Sequence, residues 1–121
     1  MRDIVAEIRS GDKSSFKELF EDYYPILCVF ASKYVKDDEL CKDIAQETLL
    51  SYWEKRKSFE DIYKVKGYLY MVARNRCLNY LKREQVNQAY LDSAMTLVTN
   101  KNINANELDG KQAAMIYDSE V

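Results

Sequence analysis

Apolar positions along the chain recur at intervals of three and four, which is the spacing of one face of an α-helix. Long stretches of this kind run from Phe16 to about Val35, from about Asp38 to Lys57, and from Val65 to at least Arg83. Shorter helical stretches flank them near Asp3–Arg9 and Glu107–Tyr117. Apolar and polar residues never alternate over the length of a strand. The pattern therefore predicts an all-α fold, a small helical bundle with three principal helices and short flanking helices.

Local signals predict where several of these helices begin and end. Gly11 is suited to end the first short helix, because glycine adopts the left-handed conformation that a helix end often needs. Asp12 or Ser15 can cap the helix that follows, and Asp37 or Asp38 can cap the second long helix. The predicted ends thus carry residue types that favour them.

The second long helix has two distinct faces. One face is mostly apolar and predicts the core side: Cys41, Ile44, Ala45, Thr48 and Tyr52. The opposite face is polar but includes two large apolar residues: Asp43, Gln46, Glu47, Leu50, Trp53 and Glu54. A merely solvated face has little use for Leu50 and Trp53, whereas apolar anchors ringed by polar groups are typical of binding hot spots. This face is a candidate protein-docking surface.

The third long helix also has a second face. Its apolar side is predicted to be Leu69, Ala73, Cys77, Tyr80 and Leu81, and the opposite side with its flank carries Tyr68, Val72, Asn75, Arg76, Asn79, Lys82 and Arg83. Asparagine is unfavourable inside a helix because its amide competes for the backbone. Amides and aromatic rings can contact bases while cations hold phosphates, so this face is a candidate nucleic-acid surface. Alternatively, Asn75 or Asn79 hydrogen-bonds a loop.

The connection before the third helix interleaves aromatic and basic side chains. It runs from Lys57 to Lys64 without helical spacing. Together with the nearby Lys66 it carries two aromatic and three basic side chains: Lys57, Phe59, Tyr63, Lys64 and Lys66. An unstacked base gains roughly 1–3 kcal/mol by stacking on an aromatic side chain. Phe59 or Tyr63 is therefore a candidate platform for a base. The alternative is that Phe59 folds inward and covers the end of the bundle.

Charge is segregated along the chain although the net charge is only -2. Residues 1–54 carry a net charge of -5, residues 55–86 carry +6, and residues 87–121 carry -3. A basic block between two acidic ones indicates a polyanionic partner for the middle of the chain alone. A solvated, charged helix is the alternative explanation.

Composition argues against an enzyme and against a metal site. The chain has no histidine, which is the commonest general base and metal ligand. Cys28, Cys41 and Cys77 share no metal-ligand spacing and lie in apolar patterns, so they are predicted to be buried free thiols in a reducing cytoplasm. No signal peptide opens the sequence, and charges interrupt every apolar run before membrane-spanning length. We expect a cytoplasmic protein with no cofactor and no membrane insertion.

Two motifs in order resemble a known family. The stretch from Phe16 to Glu84 resembles the second domain of bacterial extracytoplasmic-function sigma factors. The resemblance implies that Asp43-Ile-Ala-Gln46-Glu47 binds the clamp helices of the RNA polymerase β′ subunit. It also implies that Tyr68-Leu-Tyr-Met-Val-Ala-Arg-Asn75 recognises and helps melt the promoter −10 element, although family members commonly have Trp where this chain has Tyr68.

The resemblance further implies a non-enzymatic module whose partners are core RNA polymerase, promoter DNA and an anti-sigma factor. Residues 1–85 are then the sigma region 2 helical domain. Nothing after Gln85 resembles the helix-turn-helix domain that reads the −35 element, so residues 86–121 are interpreted as an interdomain linker or a C-terminal tail. A helical protein-interaction adaptor with no nucleic-acid role is the alternative function.

Overall fold

The three long helices that the spacing predicts are present, and so is the short helix near the N-terminus. A computed structural model describes the backbone of residues 1–99 and the side chains of residues 1–94. Every regular element in that range is helical: α1 (Ile4–Arg9), α2 (Lys13–Ser32), α3 (Asp38–Glu54), a 3₁₀ turn (Arg56–Ser58) and α4 (Ile62–Thr99). The predicted all-α bundle is confirmed. The short helix predicted at Glu107–Tyr117 lies outside the described residues.

The described residues divide into two units, of which the first is Met1–Cys77 and the second begins at Leu78. The first unit holds α1, α2, α3 and the beginning of α4, and the remaining residues of α4 belong to the second. The predicted boundary at residue 85 stays a prediction. Along the described part of the chain, no helix combines the length and the apolar character needed to cross a membrane.

Aspartate side chains cap the N-terminal ends of α1, α2 and α3. The carboxylates of Asp3, Asp12 and Asp37 each accept hydrogen bonds from backbone N–H groups two or three residues further along. These bonds satisfy donors that the first turn of a helix leaves free, typically stabilising it by ~1 kcal/mol. Gly11 has a φ of 98°, the left-handed conformation expected after α1. Of the predicted caps, Asp12 and Asp37 are therefore the ones used.

The connection after α3 lies about three residues earlier than predicted. α3 ends at Glu54 rather than Lys57, and residues 55–61, which include the 3₁₀ turn, lead to α4. α4 begins three residues before Val65, because the Asp61 carboxylate accepts a 2.9 Å hydrogen bond from the backbone N–H of Lys64. Tyr63 and Lys64, predicted to lie on a loop, are thus in the first turn of α4. α2 also differs from the prediction, because it ends at Ser32 and not at Val35.

The core of the first unit is formed by one face of each helix. Its fully buried aliphatic and aromatic side chains include Val5, Ile8, Leu19, Leu27, Leu49, Tyr52, Val65 and Leu69. The predicted core side of α3 is confirmed, because Cys41, Ile44, Ala45, Thr48 and Tyr52 are all buried. Leu69, Ala73 and Cys77 of α4 are buried as predicted, while Tyr80 and Leu81, in the second unit, are half-buried.

The three free cysteines differ in accessibility. Cys41 and Cys77 are buried, and desolvation raises the pKa of Cys77 to about 12. Cys28 is only half-buried rather than buried as predicted, and burial raises its pKa as well. Because the thiolate is the reactive form, a raised pKa lowers the reactive fraction at a pH near neutrality.

We therefore expect only Cys28 to react readily with a thiol reagent in the folded chain at about pH 8. Cys41 and Cys77 should react once denaturant exposes them. The measurement is the number of thiols titrated with time, with and without denaturant, and a Cys28→Ser variant serves as the control. Rapid labelling of all three thiols in the native chain would contradict the burial of Cys41 and Cys77.

Candidate protein-docking and nucleic-acid surfaces

The predicted docking residues lie together on the outside of α3. We call this set, Asp43, Gln46, Glu47, Leu50, Trp53 and Glu54, the α3 outer face. All of them are exposed except Trp53, which is half-buried. Leu50 has 43% of its surface exposed, whereas the neighbouring Leu49 has none. A large aliphatic side chain kept in solvent among acids is therefore a feature of the folded protein.

Trp53 is less available than the sequence alone indicates. Its ring lies 4.9 Å, centroid to centroid, from the ring of Phe16 on α2. The guanidinium carbon of Arg56 lies 4.2 Å from the Trp53 ring centroid, and Arg56 Nη1 donates a hydrogen bond to the Trp53 carbonyl oxygen. Trp53 therefore presents only part of its ring at the end of the α3 outer face. No role was predicted from the sequence for Phe16 or Arg56, although Arg56 follows Trp53 by only three positions and only Phe16 is distant in the sequence.

Phe59 takes the inward orientation. Its ring meets the ring of Tyr52 edge-on at 5.4 Å and the ring of Tyr68 edge-on at 4.9 Å. Tyr52 is fully buried, so Phe59 covers part of the core. We call Tyr52, Phe59 and Tyr68 the aromatic cluster. Because Phe59 is engaged on both sides, it is a poorer platform for a base than its place in the sequence indicated.

Tyr68 is held in a defined orientation by α3. Its hydroxyl shares a short hydrogen bond with the hydroxyl of Ser51. The Nζ atom of Lys55 lies 5.9 Å from the Tyr68 ring centroid, within the range of a cation–π interaction. Ser51 and Lys55 were not predicted to have a function. Nothing in the local sequence could have identified them, because both contacts join residues more than ten positions apart.

Several of the predicted nucleic-acid residues are exposed on the first half of α4. Lys64 and Tyr68 are four residues apart, and Asn75 follows Tyr68 by seven, so the three lie along one face of the helix. Lys64 and Asn75 are exposed, and Lys57 and Lys66 are exposed as well. Tyr63 has 79% of its surface exposed, so most of the residue is accessible to a partner.

One ion pair joins the two predicted surfaces. Arg76 Nη1 on α4 lies 2.7 Å from Glu47 Oε2 on α3. Both side chains remain partly exposed, so a pair of this kind contributes only ~0.2–1 kcal/mol. In this structure Arg76 is therefore paired with a carboxylate, although it was predicted to contact phosphate.

Comparison with protein families identifies the chain. The model of the family described as sigma-70 region 2 matches residues 19–86, more than half of the sequence. The chain belongs to this family. No match was found among curated proteins or among solved structures. A sigma region 2 domain is a transcription-initiation domain that acts in binding core RNA polymerase and in recognising promoter DNA.

The match to sigma region 2 covers both predicted surfaces but not all of the fold. It includes the whole α3 outer face and the aromatic cluster, and it leaves out α1 and the first residues of α2. Three predicted DNA-contacting residues inside the match belong to the second unit and are exposed there: Asn79, Lys82 and Arg83. Their contacts with DNA stay predictions.

Proposed function

We propose that this sigma region 2 domain recognises and melts the promoter −10 element as part of an extracytoplasmic-function sigma factor. In this proposal the α3 outer face docks on the clamp helices of the RNA polymerase β′ subunit. The observation that carries the proposal is that two adjacent helices present different chemistry. α3 presents acids around an exposed Leu50, while the first half of α4 presents cations, an exposed aromatic ring and an amide.

The docking role rests on the exposure of Leu50. An aliphatic side chain at the middle of a polar face gains by leaving water when a partner covers it, and the polar residues around it exclude solvent from the contact. Asp43, Gln46 and Glu54 surround Leu50 on the helix and can pair with basic or amide groups of the partner. The acidic character of this face thus favours a basic partner surface.

The DNA role rests on the side chains at the start of α4. Tyr63 can stack on an unpaired base, and this gain offsets the few kcal/mol that unstacking costs. Asn75 can hydrogen-bond a base edge, while Lys57, Lys64 and Lys66 hold phosphates. Since Phe59 is packed inward, we assign base stacking to Tyr63 and to the accessible part of Tyr68. Within the described part of the chain we assign no surface to an anti-sigma factor, and that partner stays a prediction.

Promoter opening by reconstituted holoenzyme tests this function. We expect Tyr63→Ala and Asn75→Ala to slow opening by about tenfold, as the loss of one stacked or hydrogen-bonded base predicts. Binding to core polymerase should not change, because neither residue lies on the α3 outer face. A fluorescent base analogue placed along the non-template −10 strand reports unstacking directly.

Tyr90 provides the matched control. It is 75% exposed on the same helix but lies beyond the residues that the family model matches. Tyr90→Ala removes the same ring from a similar environment and should open promoters at the normal rate. Normal opening by Tyr63→Ala and Asn75→Ala holoenzymes would show that these residues do not capture a base.

A further inference from the structure

Arg9 makes a hydrogen bond to a residue fifty positions further along the chain. It is the last residue of α1, and its Nη1 atom donates a 2.6 Å hydrogen bond to the carbonyl oxygen of Phe59. A hydrogen bond from a guanidinium is charge-assisted, so it is stronger and more directional than one between neutral groups. Phe59 is the first of the three residues that separate the 3₁₀ turn from α4. The last residue of α1 therefore holds the backbone at the start of the connection between the 3₁₀ turn and α4.

The same residue is held on its other side by the aromatic cluster. The Phe59 ring contacts Tyr52 and Tyr68, and Tyr68 is bound to Ser51. Burial raises the pKa of Tyr52 to about 12, and the charge of Arg9 acts against that increase. Main chain and ring of Phe59 are both fixed by residues outside the connection.

We propose that Arg9 is a positioning residue for promoter opening, which holds the Phe59 main chain so that Tyr68 and the first turn of α4 meet the −10 strand in a fixed arrangement. This inference rests on the proposed function. Arg9 lies outside residues 19–86, so membership of the family assigns it no role. Its contribution is indirect, since it acts through Phe59 and the residues that Phe59 contacts.

Preorganisation is the physical reason for such a role. A connection that is already ordered does not lose conformational freedom when a base binds, so less of the interaction energy is spent on ordering. Without Arg9 the Phe59 carbonyl loses its donor, and the backbone at residues 59–61 gains freedom before α4 begins. The loss should therefore appear where a base is captured and not where polymerase docks.

The test uses holoenzyme and single-stranded oligonucleotides of the non-template −10 sequence. An abasic position is moved through the oligonucleotide, and the dissociation constant is measured for each. With the wild-type chain, we expect one abasic position to weaken binding by about tenfold, because a stacked base is lost there. With Arg9→Ala that penalty should fall to about twofold or less, while the other positions keep their values.

Two variants separate positioning from a general loss of structure. Arg9→Lys keeps a cationic donor and should restore part of the position-specific penalty. Arg2→Ala removes an equal charge from the same end of the chain, but Arg2 pairs with Glu7 and Glu18 and not with Phe59. It should leave the abasic profile unchanged. Affinity for core polymerase should be the same for all of these variants.

Each remaining outcome overturns one of the two proposals. An Arg9→Ala profile identical to wild type, or one lowered equally at every position, would show that Arg9 only stabilises the fold. If Tyr63→Ala and Asn75→Ala slow opening in that case, the proposed function stands without the inference. If no abasic position weakens binding of the wild-type holoenzyme, no base is captured and the proposed function itself is wrong.

Discussion

Leu50→Ala is expected to weaken binding to core RNA polymerase by about thirtyfold, which corresponds to ~2 kcal/mol for truncating a central apolar anchor. The stability of the isolated chain should change little, because 43% of the surface of Leu50 is already exposed to solvent before docking. Asp43→Ala should also weaken binding, by removing a charge beside the anchor. The measurement is the dissociation constant of the chain with core polymerase, together with its urea unfolding curve.

Ile26 offers a close control for this prediction. It lies on α2, has 45% of its surface exposed, and loses a similar amount of apolar side chain on truncation. Ile26→Ala should leave polymerase affinity at the wild-type value. If both variants bind normally, Leu50 is a solvated surface residue and the α3 outer face does not dock. If both weaken binding equally, the interface extends over α2 and is not specific to the α3 outer face.

Leu49→Ala, one residue earlier, should have the opposite effect. Leu49 has no exposed surface, so truncation leaves a cavity in the core and lowers the free energy of unfolding by about 2–5 kcal/mol. A loss of this size is a large part of the stability of a small domain. Urea or thermal unfolding followed by circular dichroism measures it directly, and Leu50→Ala in the same experiment should shift the free energy by less than about 0.5 kcal/mol.

This adjacent pair tests which side of α3 faces the core. The two substitutions remove the same atoms from neighbouring positions, so helix propensity and composition change identically. Only the direction in which each side chain points differs. Comparable destabilisation by both substitutions would mean that Leu50 is also packed against other residues, and the α3 outer face would have to be redefined.

The ion pair between Glu47 and Arg76 joins the α3 outer face to the predicted nucleic-acid surface of α4. Since an exposed pair contributes ~0.2–1 kcal/mol, either residue can leave it at little cost when a partner offers a better contact. Its geometry does not oppose the predicted roles of Glu47 in docking and of Arg76 in phosphate binding. Both roles stay predictions.

The helices of this protein, and the side of each that faces the core, could largely be predicted from local sequence signals. Helical spacing, aspartate caps and a glycine after α1 are local signals, and each acts within a few residues of the feature that it predicts. The core side of α3 followed from the same spacing, and the two motifs around Asp43 and Tyr68 indicated the family that the comparison then showed. The start of α4 was misplaced because the cap at Asp61 was overlooked, although that signal is also local.

The arrangement of the side chains on these surfaces could not be predicted in this way, because it depends on how the helices pack together. The tertiary structure packs Phe59 on Tyr52 and Tyr68 and covers part of Trp53 with Phe16. It also directs Arg9 to the carbonyl of Phe59, fifty positions away. The helical spacing of apolar residues predicts which face of a helix turns inward. It does not predict which residues of another helix that face contacts. That choice depends on how whole helices pack, because each such contact joins residues that only the folded chain brings together.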